Sequence, residues 1–155
     1  MLLALLGAVA VAVVAFDQAT KTWAEHALAD GPIHLWWRLR LVLALNSGAA
    51  FSLGTGVTPF VIAGVVVMLA VLLFLSRSVS TRPAAVALGL VLGGALGNLT
   101  DRVVRHNHRS VIDFVDFRPW PTFNVADAAV VCGAILLVLT GAEWGRRHTQ
   151  TTPTP

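Results

Sequence analysis

The chain reads as an all-α membrane protein: four transmembrane helices, with a small β-sheet and a second excursion lying at the membrane surface. Composition, hydropathy and the shape of the apolar runs point there. Of 155 residues, 56% are hydrophobic and 12% charged, about half the charge share of an ordinary soluble domain. Mean hydropathy is +0.76. The apolar stretches are long and unbroken instead of alternating over ~10 residues, which selects helices over a membrane barrel. The length allows one domain, placed at 1–145, and residues 146–155 are expected to form a disordered polar tail.

The first apolar run, Leu2 to Phe16, covers only ~22 Å of helix, short of a ~30 Å hydrocarbon core. The helix is therefore expected to continue past Asp17 to about Trp23, with a truncated start contributing. The run lacks the basic lead-in and small-residue cleavage site of a cleaved signal peptide. The second run, Val57 to Leu75, is an ordinary span of ~28 Å. The third runs from Ala84 to Gly97 and continues helically through Arg102. Its Gly89, Gly93, Gly94 and Gly97 suit close helix packing. The fourth extends from Val125 to Ala142.

Between the first two spans, Ala24 to Gly56 form a long loop. The segment His34 to Val42 partly alternates apolar and polar residues, which predicts a short amphipathic strand in a sheet on the membrane surface. Trp36 and Trp37 fit the aromatic belt. Arg105 to Pro121 is a second surface excursion, long enough to be functional.

The net charge is +3, from ten Arg and one Lys scattered between the apolar runs. A nucleic-acid surface needs a clustered basic face, so no nucleic-acid partner is expected. The single cysteine, Cys132, lies in an apolar run and excludes an intrachain disulfide; buried, it acts as a small hydrophobe. Four spans place both termini on one side. Lys and Arg then number seven on the far side (Lys21, Arg38, Arg40, Arg102, Arg105, Arg109, Arg118) against four with the termini (Arg77, Arg82, Arg146, Arg147). That count alone turns the termini outward.

Polar residues gather at one end of each span. Asp17 and Lys21, at i and i+4, either pair on one helix face or brace and contact a substrate. Asn46-Ser47-Gly48-Ala49-Ala50-Phe51-Ser52 is either the polar start of a helix or a backbone and amide platform for an extended peptide. Asn98, Asp101 and Arg102 share a face, as an ion-pair set or as an anchor for a lipid or peptide carbonyl. Asn124 and Asp127 have the spacing of a helix cap. Asp113 is either a solvated loop acid or a functional one. An ionisable group near the hydrocarbon core costs ~2.5–3.5 kcal/mol, so it is rarely idle. Asp113 and Asp127 can meet if residues 114–124 fold back. Two carboxylates that share one proton make an aspartic-protease couple, which needs neither metal nor organic cofactor.

Rival chemistries have weaker footing. His106, His108, Asp113 and Asp116 are nominal metal ligands, but no helical His-Glu-x-x-His pattern is present. Ser52 with Lys21 makes a nominal serine–lysine pair. A small transporter using the aspartates as a proton relay is the non-enzymatic alternative, although four short spans leave little room for inverted repeats.

Asp17-Gln-Ala-Thr-Lys21, Asn46-Ser-Gly-Ala-Ala-Phe-Ser52, Gly93-Gly-Ala-Leu-Gly-Asn98-Leu-Thr-Asp101-Arg102, Val111-Ile-Asp113-Phe and Phe123-Asn124-Val-Ala-Asp127 occur in this order. Together they resemble the bacterial lipoprotein signal peptidases, also called signal peptidase II, over most of the chain from Asp17 to Ala142. The resemblance implies four helices in the bacterial plasma membrane, cytoplasmic termini and an active site at the outer face. It implies that a small β-sheet cradle and an interfacial segment on the outer membrane face hold the substrate, that the partners are membrane lipid and diacylglyceryl-modified prolipoproteins cut just before the lipidated cysteine, and that the enzyme is monomeric. It also implies inhibition by the cyclic peptide globomycin. By matching positions, Asp113 and Asp127 are the catalytic pair. Asp17, Lys21, Asn46, Gly48, Asn98, Arg102, Asn124 and Ala126 form the supporting shell. Asp101 matches the pattern and is expected to be structural. Asp116 lies outside the matched catalytic position.

Overall fold

The computed structural model describes residues 1–47, 79–105 and 110–149, with backbone alone for 141–149, and single helical positions at 63, 64, 66, 67, 70 and 74. The expected span Val57–Leu75 is described only at those positions, all helical. Gly48, Ser52, His106 and His108 lie outside the described residues.

Helix α1 spans Leu2–Ala27 without a break at Asp17 or Lys21. The two charges neutralise each other one turn apart, at 2.8 Å, so the polar end of the helix stays packed inside. Helix α2 spans Arg82–Val103. Thr81 caps it, its hydroxyl accepting from the Ala84 N–H at 3.3 Å, and Pro83 occupies the first turn, where a missing N–H costs nothing. Helix α3 runs Val125–Thr149, beyond the expected end at Ala142 and into the segment expected to be disordered. The sequence offers no proline before Pro153 to stop it. Among the described residues, α1 and α2 are long and apolar enough to cross a membrane, and the apolar part of α3, Val125–Thr140, is shorter.

Helix α2 lies between the other two and packs on both. Small residues make this possible. A Cβ on Gly89 or Gly93 would stand 2.8 Å from the carbonyl oxygens of Leu6 and Ala10 on α1. On its other side, a Cβ on Gly94 would collide with the Ala126 carbonyl oxygen. Leu6, Ala10, Ala85, Leu88 and Leu92 fill the α1–α2 core. Cys132 is exposed on α3 and does not act as a buried small hydrophobe.

The expected small sheet is present, three-stranded and antiparallel in the order β1–β2–β3, but the segment His34 to Val42 is not one strand: it turns at Trp37 and Arg38 and pairs back on itself. Strand β1 is Ile33–Trp36, β2 is Leu39–Asn46 and β3 is Val111–Phe117. Strand β3 comes from the excursion Arg105–Pro121; its β-branched and aromatic residues suit a pleated surface. It is buried from Val111 to Phe114. Polarity therefore does not alternate along it, which hid it from a period-two pattern. Phe114 packs with Ala24 and Leu28, fastening the sheet to the end of α1. The register sets Asp113 opposite Ala44 and Arg40 opposite Asp116.

Gly94→Ala is expected to destabilise the protein by about 1–3 kcal/mol, because overpacking must separate α2 from α3. Gly7→Ala, with nothing near its added methyl, is expected to leave the melting temperature unchanged or higher. Thermal unfolding of both variants in one detergent provides the comparison.

Candidate active site

The polar ends of α1, α2, β3 and α3 meet around one buried ammonium. Lys21 is fully enclosed. Its Nζ carries three N–H donors, and they meet three acceptors: Asp17 Oδ2 at 2.8 Å, Asp101 Oδ2 at 2.9 Å and Asn98 Oδ1 at 3.0 Å. Asp17 and Asp101 are also fully buried. Each carboxylate then accepts one further backbone N–H. Asp17 Oδ1 holds the N–H of Ala126 at 3.0 Å, and Asp101 Oδ2 holds that of Ile112 at 3.1 Å. Those residues immediately precede Asp127 and Asp113. One cation thus fixes the backbone entering both candidate aspartates.

Gly97 makes room for this arrangement, since a Cβ there would lie 2.7 Å from Asp17 Oδ2. Gln18 closes the far side by donating from Nε2 to Asp101 Oδ1 at 2.8 Å and to the Gly97 carbonyl at 3.2 Å. Arg105 in turn donates to Gln18 Oε1 and pairs with Glu25.

Two asparagines carry the order outward. Asn98 must turn its oxygen to Lys21, which can only donate, so its Nδ2 faces Asp127 and donates to Oδ1 at 2.8 Å. Asn124 accepts the Asp127 N–H on Oδ1 at 3.0 Å, which aims its Nδ2 at Asp113 Oδ1, 2.7 Å away. The Asn124 N–H returns to Asp127 Oδ2 at 3.2 Å. The capping arrangement is therefore real, and the same residues join the two carboxylates. On β2, Asn46 Nδ2 donates to Asp113 Oδ2 at 2.9 Å. Every oxygen of the couple already accepts one hydrogen bond from the protein, and each keeps a second lone pair.

Asp113 is 2% exposed. Burial pushes its carboxyl up to about 6, and the neighbouring Asp127 charge adds to that. The Asn46 and Asn124 amides and the Lys21 charge pull the other way.

A family model described as signal peptidase (SPase) II matches residues 9–142. The chain belongs to the signal peptidase II family. The lipoprotein signal peptidase of Rhodococcus jostii is 44% identical over 145 residues, covering 87% of this chain and 71% of that protein. The corresponding protein of Paraburkholderia phytofirmans is 42% identical over 141 residues, covering 84% and 80%. A bacterial membrane enzyme solved by the in meso method at 1.9 Å resolution superposes with a TM-score of 0.73 at 29% identity, covering 85% of this chain and 88% of that one. A second, at 2.3 Å, gives 0.76 at 27% identity, covering 95% and 91%. The chain is thus an aspartic endopeptidase of lipoprotein processing, of a family of membrane enzymes.

Of the residues singled out in sequence, Asp17, Lys21, Asn46, Asn98, Asp113, Asn124, Ala126 and Asp127 join one hydrogen-bonded cluster. Lys21 braces from within and reaches no substrate; with two carboxylates on it, it is also no free base for Ser52. Asp116 is engaged by Arg40 across the sheet. Arg102 reaches the Asn98 carbonyl at 3.4 Å, while its buried Nε has no partner among the described residues. Asp101, expected to be structural, supports β3 directly through the Ile112 N–H. Sequence reading missed Gln18, although it sits beside Asp17.

Asp101→Ala is expected to lower single-turnover cleavage by roughly 10²-fold through displacement of Asp113. Asp101→Asn, whose amide oxygen still accepts from Ile112, is expected to recover most of that loss. Equal losses in the two variants would separate Asp101 from the positioning of β3.

Proposed function

We propose that this signal peptidase II cuts diacylglyceryl-modified prolipoproteins just before the lipidated cysteine, with Asp113 and Asp127 as the catalytic couple. The observation that carries this is Asn124. One residue hydrogen-bonds both carboxylates, through its side chain to Asp113 and through its backbone and cap to Asp127. Held as neighbours, the two share one proton, because like charges at close range resist ionising together. The ionised member removes a proton from water, and the hydroxide oxygen attacks the scissile carbonyl carbon. The protonated member gives its proton to the carbonyl oxygen. Collapse of the tetrahedral intermediate returns a proton to the leaving nitrogen and breaks the C–N bond.

The remaining shell divides by position. Asp17, Lys21 and Asn98 hold the couple from below, and Asn46 orients Asp113 from the sheet. Ala126, fully buried beside Gly97, leaves no room for a larger side chain. Arg102, its Nε without a partner among the described residues, binds substrate; Gly48, outside the described residues, is given the same role by matching position alone. The chain works as a monomer with four spans, its termini in the cytoplasm and the sheet on the outer face, in contact with lipid. Globomycin occupies the peptide site.

Asp113→Asn and Asp127→Asn are each expected to lower cleavage by on the order of 10³-fold or more, since proton transfer alone contributes 10²–10⁴, while the melting temperature stays near wild type. A gel-shift assay on diacylglyceryl-modified precursor measures this, and near-normal cleavage by either variant would remove that residue from the couple. The pH profile gives a second check. The shared proton leaves as pH rises through about 6, the value of Asp113, so kcat/KM falls on the alkaline side. Asn46 stabilises the ionised form; Asn46→Ala is expected to raise the Asp113 value and move the alkaline limb to higher pH. Movement to lower pH would contradict the assignment.

A further inference from the structure

The end of the sheet farthest from Asn46 carries a patch that peptide hydrolysis does not use. Trp36 is 80%, Trp37 82% and Trp120 69% exposed. They are brought together by backbone: the Arg118 N–H donates to the Arg38 carbonyl at 3.3 Å, which lays the turn after β3 beside the β1–β2 turn. Trp37 has φ 38°, the one positive φ on a residue other than glycine among the described residues. An aromatic side chain is disfavoured there, so this tip is shaped to present it. The Arg38 guanidinium lies 4.7 Å over the Trp37 ring, and Arg38 is itself exposed. Arg118 is 66% exposed, with its closest carboxylate contact at 3.9 Å, to Asp116, which Arg40 already holds.

We propose that this tip is a headgroup anchor for anionic phospholipid of the outer leaflet, with Arg38 and Arg118 taking the lipid phosphates and Trp36, Trp37 and Trp120 lying at the membrane interface. Tryptophan prefers that depth because its ring is apolar and its N–H polar. Three such rings in water would form an apolar patch of the size that marks a contact surface. The cations select lipid over an apolar protein partner, and anionic over neutral lipid. The anchor also has a mechanical consequence. Phe117 pairs with Leu39 at the tip end and Asp113 with Ala44, so strand β3 carries Asp113 four residues from the anchor, ~13 Å along the strand. Binding headgroups at the tip sets the depth of the carboxylates relative to the lipidated cysteine.

The inference rests on the outer-face orientation proposed above, and its test does not depend on cleavage. The full chain is placed in phosphatidylcholine nanodiscs doped with a lipid brominated near the headgroup end of its acyl chains, as phosphatidylglycerol or as phosphatidylcholine. Tryptophan quenching by the anionic lipid is expected to exceed that by the neutral one. The excess reflects local enrichment of up to about fivefold per arginine. In R38Q/R118Q the two lipids are expected to quench alike, while R82Q, an exposed arginine at the far end of α2, keeps the excess. Equal quenching in the wild type, or an excess that survives in R38Q/R118Q, overturns the anchor. Precursor cleavage in the same discs is scored separately: failure there with the excess intact counts against the proposed peptidase mechanism and not against the anchor.

Discussion

A lysine with no access to solvent holds the rest of the site in place. Removing three ionised side chains from water costs several kcal/mol per ion before any attraction is counted. Lys21 offsets this only because geometry is complete: three donors meet three acceptors at 2.8–3.0 Å. Such a cluster adds little net stability over an apolar core of equal volume. What it supplies is position. Its two carboxylates have oxygen lone pairs to spare, and these reach backbone N–H groups on α3 and β3. Elements far apart in sequence are thereby fixed relative to α1.

The order then passes outward through groups that have no freedom to turn. An ammonium and a backbone N–H can only donate, so they decide which way Asn98 and Asn124 face. Their amide nitrogens are left pointing at the two aspartates. Asp127 serves two purposes at once: it completes the cap of α3 and presents a carboxylate to Asp113. The small residues belong to the same design. Gly97 clears the space beside Asp17, and Gly94 lets α3 approach until Asn98 reaches Asp127.

The sheet contributes what the helices cannot. Helix ends converge at one membrane face, but Asp113 must come over them from the side, and a strand carries it there. Packing Phe114 on Ala24 and Leu28 fixes that strand to α1. Asp113 itself is buried, and desolvation is the largest cause of its raised pKa. Charges are sorted along the sheet: Asp113 lies toward the helices, and arginines with tryptophans lie at the opposite tip.

Helical class, the extent of α2, the start of α3 and the identity of the polar clusters were legible from residue order, because hydropathy and capping spacing are local properties. The continuation of α1 through Asp17 was also legible, because the run Leu2 to Phe16 is too short for the hydrocarbon core. Strand β3 was not, since burial on both faces erases alternation. Nor was the end of α3, where the fading of hydropathy at Ala142 marks no break in the backbone. The division between brace and proposed catalyst came from the family resemblance, which matched Asp113 and Asp127 to the catalytic pair, and not from composition or spacing. Asp17, Asp101, Asp113 and Asp127 are chemically the same group. Only tertiary packing decides which two are spent on an ammonium and which two are left with lone pairs free.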